Sequence, residues 1–115
     1  LANTFKTITK AGVTSADVIY TVAGSTTTVI LGLMLGNTTS GTITATVTLG
    51  TDTANRAGNN NEANQDVELV TSVSVPGNST LELLSGNKVV METTDTLSVT
   101  GSGATDVALS VMEIT

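Results

Sequence analysis

The segment Thr42-Ile-Thr-Ala-Thr-Val-Thr-Leu49 alternates without a break. Ile43, Ala45, Val47 and Leu49 fall on one side and four threonines on the other, which is the two-residue period of a half-buried strand. On a helix the same spacing would scatter the apolar residues around the axis and bury none of them together. The alternation recurs along the chain. Val67, Leu69, Val73 and Val75 share one parity, and Leu81 pairs with Leu83, Val89 with Met91, Leu97 with Val99, and Val107 with Leu109 and Val111. Segments Phe5–Thr9 and Asp17–Val22 read as further strands. The outward positions are filled mostly by threonine, about one residue in five, whose β-branch suits a pleated strand better than a helix.

Turn chemistry separates these runs at Ala23-Gly-Ser25, Gly36–Gly41, Pro76-Gly-Asn78, Ser85-Gly-Asn87 and Gly101-Ser-Gly103. Eight or nine short strands, spaced about ten residues apart, predict an all-β fold. The expected form is an antiparallel β-sandwich, jelly-roll or Ig-like, occupying residues 1–115 as one domain. Three places depart from the simple pattern. After Val111 the apolar parity switches to Met112 and Ile114, which suggests a bulge. Between Thr28 and Gly36, Val29, Leu31, Leu33 and Leu35 take one parity while Ile30 and Met34 take the other. A strand apolar on both faces needs cover on both, from the N-terminal segment or a long loop of the same chain, or from another subunit. The polar stretch Thr51–Gln65, rich in Asn, reads as a long exposed loop with a short helical turn over Glu62–Gln65.

Composition narrows the chemistry. The 115 residues contain no His and no Cys, so an imidazole base, a thiol nucleophile, a disulfide and the usual zinc ligands are all excluded. Four basic residues against ten acids give a net charge of −6, the wrong sign for tracking a phosphate backbone. Phe5 and Tyr20 are the sole aromatics, too few for a base- or sugar-stacking platform. No apolar run approaches membrane-span length, and no basic region followed by an apolar run marks a secretory signal. Asp52, Glu62, Asp66 and Asp95 show no spacing diagnostic of hydrolytic carboxylates. A calcium site from Asp52, Asp66 and loop carbonyls would need oxygen ligands alone, yet the segment fits no EF-hand or RTX pattern. The serines and threonines lack a neighbouring base. Asn37-Thr-Thr39 and Asn78-Ser-Thr80 match the glycosylation triplet, as chance allows in so Thr-rich a chain. An enzyme, a cofactor and a metal are therefore not expected.

Longer blocks carry a resemblance. Ala2-Asn-Thr-Phe-Lys6, Tyr20-Thr-Val-Ala-Gly24, Thr28-Val-Ile-Leu-Gly-Leu-Met-Leu-Gly-Asn-Thr38, Leu81–Glu92, Asp95-Thr-Leu-Ser-Val99 and Val107–Thr115 together resemble small virion proteins of tailed bacteriophages. The resemblance implies a structural role, first as a capsid decoration (cement) protein on the outer surface of the virion. It implies the major capsid protein as partner and self-association, with a homotrimer favoured, and neither nucleic acid nor membrane as partner. A tail or fibre-adaptor part is the alternative, and a carbohydrate-binding or adhesin-like module a further one. Phe5, Ile8, Ile30 and Met34 are the expected interface residues, with the 52–65 loop beside them.

Overall fold

The computed structural model describes residues 2–52, 65–84 and 86–115. Among these lie nine strands: β1 (Asn3–Val13), β2 (Asp17–Thr21), β3 (Thr27–Asn37), β4 (Ile43–Gly50), β5 (Asp66–Val75), β6 (Thr80–Leu83), β7 (Val89–Met91), β8 (Thr96–Gly101) and β9 (Thr105–Ile114). They form two antiparallel sheets. One runs β1-β9-β3-β6, with β7 also pairing β3, and the other runs β2-β8-β4-β5. First pairs with last, second with second-to-last, third with β6 and β7, and fourth with fifth. That nesting of one hairpin inside another is the jelly-roll arrangement, so of the two expected sandwich topologies the chain takes this one.

The alternation read from the sequence does the sorting. In β4, Ile43, Ala45 and Val47 are buried, and the threonines between them face outward. Leu97 and Val99 of β8, Val107, Leu109 and Val111 of β9, and Leu33 and Leu35 of β3 meet them from the other strands. The core is aliphatic apart from Tyr20 and Met91.

Three parity expectations change on folding. In β3 the register against β9 shifts between Ile30 and Gly32, so Leu31 is extra. This bulge reverses the sense of the strand: Thr28 and Ile30 point inward before it, and Leu33, Leu35 and Asn37 after it. Ile30, expected on an outward face, is instead 0% exposed, and the two-sided apolar pattern is a bulged strand seen as if it were straight. In β9 no bulge accompanies Met112 and Ile114. Its pairing with β1 is continuous from Val107 to Ile114, so both residues extend the outer face of Ala108 and Ser110. In β5 the register shifts twice against β4, bringing Val70 rather than Leu69 opposite Val47. Ser72 takes φ +48° there, and its N–H donates to Thr46 Oγ1 at 2.9 Å.

Candidate interaction surface

The outer face of the β1-β9-β3-β6 sheet carries a row of apolar side chains that crosses all its strand positions. Phe5 of β1 lies opposite Met112 of β9, Met112 opposite Val29 of β3, and Val29 opposite Val90 of β7. Residues directly opposite in a ladder share a face and sit within contact distance. The two ends of the row are the most open, Phe5 at 70% exposure and Val90 at 56%. Ile114 continues the outer parity beyond Met112.

Next to the row the face turns shallow. Thr7, Ser110 and Gly32 form one line, and Thr9, Ala108, Met34 and Glu82 form another. Gly32 has nothing within 4 Å of where a Cβ would stand, so the surface is open above it. A hollow of about 220 Å³ lies over Gly32, Ala108 and Ser110, and one of about 360 Å³ over Ala11, Gly36 and Ala108, with Met34, 45% exposed, lining both. The charged groups lining the two hollows are of both signs: Glu82 in the smaller, and Lys10 with the exposed Asp106 in the larger. The face thus presents an apolar ridge beside a trough with a floor of small residues.

Of the expected interface residues, the structure brings Phe5 and Met34 onto this one face. Ile8 is half-buried on the other side of β1, opposite Leu109, and Ile30 is in the core. The sequence reading passed over Val29, Met112 and Val90, because only strand register lines them up with Phe5. Residues 53–64 of the expected loop, with its helical turn, lie outside the described residues. Its base is closed, since Thr51 N–H donates to the Gln65 carbonyl at 2.8 Å.

Two polar clusters hold the sandwich beneath this face. The Tyr20 hydroxyl, from β2 of the second sheet, donates to Glu113 Oε2 at 2.5 Å and lies 2.7 Å from Thr28 Oγ1. Lys6 Nζ of β1 completes the cluster 2.7 Å from Glu113 Oε1, whose side chain is 12% exposed. Burial, with the neighbouring carboxylate, pushes the Tyr20 phenol up to about 12, while Lys6 and the Tyr20 hydroxyl hold the Glu113 carboxyl below its ordinary range. At the opposite end of β3, Asn37 is 3% exposed and its Nδ2 faces the carbonyls of Gly41, Val75 and Pro76 at 2.8, 2.9 and 3.2 Å. Its Oδ1 accepts from Thr39 N–H and Thr39 Oγ1. The first glycosylation triplet is thus built around a buried amide that joins the two sheets. Asn78 of the second triplet is exposed in a turn at φ +56°.

The acids at the second sheet's margin are not arranged as a cage. Asp95 is buried and its two oxygens accept the Asp52 and Glu92 backbone N–H groups at 3.1 and 3.0 Å. Among the described residues no three acids group to hold a metal ion.

No family model matches the chain, and no curated protein matches it. Among solved structures, one similar chain comes from work described as "Bacillus endospore appendages form a novel family of disulfide-linked pili". It is 16% identical, with a TM-score of 0.49 over 97% of this chain and 84% of that one. The present chain, having no cysteine, cannot form disulfide links of its own.

Proposed function

We propose that this chain is a structural protein that works by binding other proteins, and that its place is the outer surface of a bacteriophage head as a capsid decoration protein. The row Phe5–Met112–Val29–Val90 carries the reading. A small acidic protein gains nothing in solution from an aromatic ring left 70% exposed on a flat sheet, but loses water from it when a partner covers the face. At about 25 cal/mol per Å² each covered side chain adds a modest increment, and a shell lattice multiplies it through many simultaneous contacts. The negative charge suits an outward surface that leaves packaged DNA alone. Viral shells are among the places where jelly rolls occur, an analogy of fold and no more.

Quantitative mass spectrometry of purified virions tests the reading. A decoration protein appears in numbers comparable to the major capsid protein, whereas a tail or fibre-adaptor part appears at a small fraction of that. Virions lacking the chain overturn both. Phe5→Ser with Val90→Ser should abolish capsid binding while leaving the circular dichroism spectrum unchanged. Undiminished binding by that folded variant would refute the face.

A further inference from the structure

Among the described residues four sheet edges are candidates for pairing with another chain, and three are blunted. β6 and β7 are four and three residues long, β2 has a register break between Val18 and Tyr20, and β5 has two. β1 differs. It pairs β9 through eight consecutive residues, Asn3–Lys10, with no irregularity, and no other described strand pairs its second side.

Hydrogen-bond parity shows what that side offers. Ala2 and Thr115 exchange both backbone bonds, at 3.3 and 3.0 Å, in the register that continues through β1 and β9. In an antiparallel ladder such exchanging pairs alternate with non-bonded ones. Even-numbered residues of β1 therefore bond to β9, and Asn3, Phe5, Thr7 and Thr9 turn their N–H and C=O groups to the free edge. The bulge at Ala11-Gly12 ends the straight run: both residues face Asp106, whose Oδ1 accepts the Gly12 N–H at 2.9 Å, with Gly12 at φ +68°.

We propose that this edge pairs with the same edge of a second copy, antiparallel about a two-fold axis at Thr7. Phe5 then faces the second copy's Thr9, and Lys6 faces its Ile8. Moving the axis to Lys6 would set Lys6 against itself, and moving it to Ile8 would set Lys6 against Lys10. An axis at Phe5 avoids both clashes but pairs a shorter stretch. Charge selects a copy of this chain as the occupant. Residues 1–16 hold none of the ten acids, so this edge is where two molecules of net charge −6 can approach. Lysines on an edge ordinarily discourage pairing, but here Lys6 is drawn to Glu113 at 2.7 Å and Lys10 to Asp17 at 3.3 Å within the same chain. The pairing sets the apolar row of each copy in line with the Thr9, Ala108 and Met34 line of the other. It closes as a dimer, a different order from the trimer expected from the sequence.

The test uses the purified protein alone and so is independent of what the sheet face binds. Sedimentation equilibrium should show reversible association toward twice the 11.6 kDa chain mass. Amide exchange followed by NMR should show the Phe5, Thr7 and Thr9 N–H groups slowing at least tenfold between dilute and concentrated samples, while Thr4, Lys6 and Ile8 are slow in both. Thr7→Pro removes one edge N–H and no bond to β9, and should leave a folded monomer. A monomer at every concentration, free exchange at Phe5, Thr7 and Thr9 in the associated state, or a folded Thr7→Pro variant that still associates would each overturn the pairing. Should that variant fail to fold, the exchange pattern of the native chain decides.

Discussion

Replacing Asn37 by Asp changes one side-chain atom type and almost no volume, yet it strikes the junction between the sheets. The amide has two N–H groups for three carbonyls, those of Gly41, Val75 and Pro76, all within 3.2 Å. A carboxylate has no hydrogen to offer and turns an oxygen toward three others. Two bonds are lost at about 1 kcal/mol each, and the buried charge and stranded acceptors add at least as much again. The cost at pH 7 is about 3–5 kcal/mol, a large part of a domain's usual 5–15. In acid the protonated carboxyl recovers one donor, and the cost falls to about 1 kcal/mol. The sign follows from burial against carbonyls, which raises the introduced group's folded-state pKa above its unfolded value near 3.9. Its favourable contribution is complete below about pH 4 and disappears as pH rises through the folded value. Urea unfolding of both proteins at pH 4 and pH 7, followed by far-ultraviolet circular dichroism, measures this. The midpoint of Asn37→Asp should lie about 2–3 M below the native one at pH 7 and under 1 M below it at pH 4, for a slope near 1.5 kcal/mol/M. Equal midpoint gaps at the two pH values, or none at pH 7, would refute the clamp.

Tyr20 is the single tyrosine and there is no tryptophan, so tyrosinate absorbance reports one group. It should titrate near 12 in the folded protein, and stability should fall as pH rises from 10 toward 12, because the unfolded chain ionises first; Tyr20→Phe should remove that loss while costing about 1–3 kcal/mol at neutral pH. Lys6→Met should let the Glu113 carboxyl rise toward its ordinary range, detectable by carbon NMR titration. Stability from Glu113 is present above its unfolded value and is lost as pH falls, so the variant should lose up to about 1 kcal/mol at neutral pH and nothing in strong acid. Gly77→Ala should lower the melting temperature by several degrees, because its Cβ would come 2.2 Å from the Ser40 carbonyl oxygen and 2.5 Å from its carbon, both backbone. Leu109→Ala, at a fully buried position, should cost about 2–5 kcal/mol in chemical denaturation.

Alternation alone announced the strands of Ile43–Leu49, Leu97–Val99 and Val107–Val111, since a two-residue period reads out which side of each strand is apolar whatever its neighbours. The absence of His and Cys restricted the chemistry in the same direct way, because no fold supplies a functional group the residues lack. Pairing was not legible. Whether Ile30 turns inward depends on an extra residue, Leu31, that only the β9 register reveals. The row from Phe5 to Val90 joins residues 85 positions apart, and nothing local in either segment marks the other. The amide of Asn37 looked like a turn residue in a glycosylation triplet until Val75 and Pro76 were brought against it. That no other described strand pairs the second side of β1 is likewise a property of the folded sheet. Periodicity is local and survives in the sequence, whereas register, bulges and edges are settled by long-range hydrogen bonding between strands, which only the folded chain possesses.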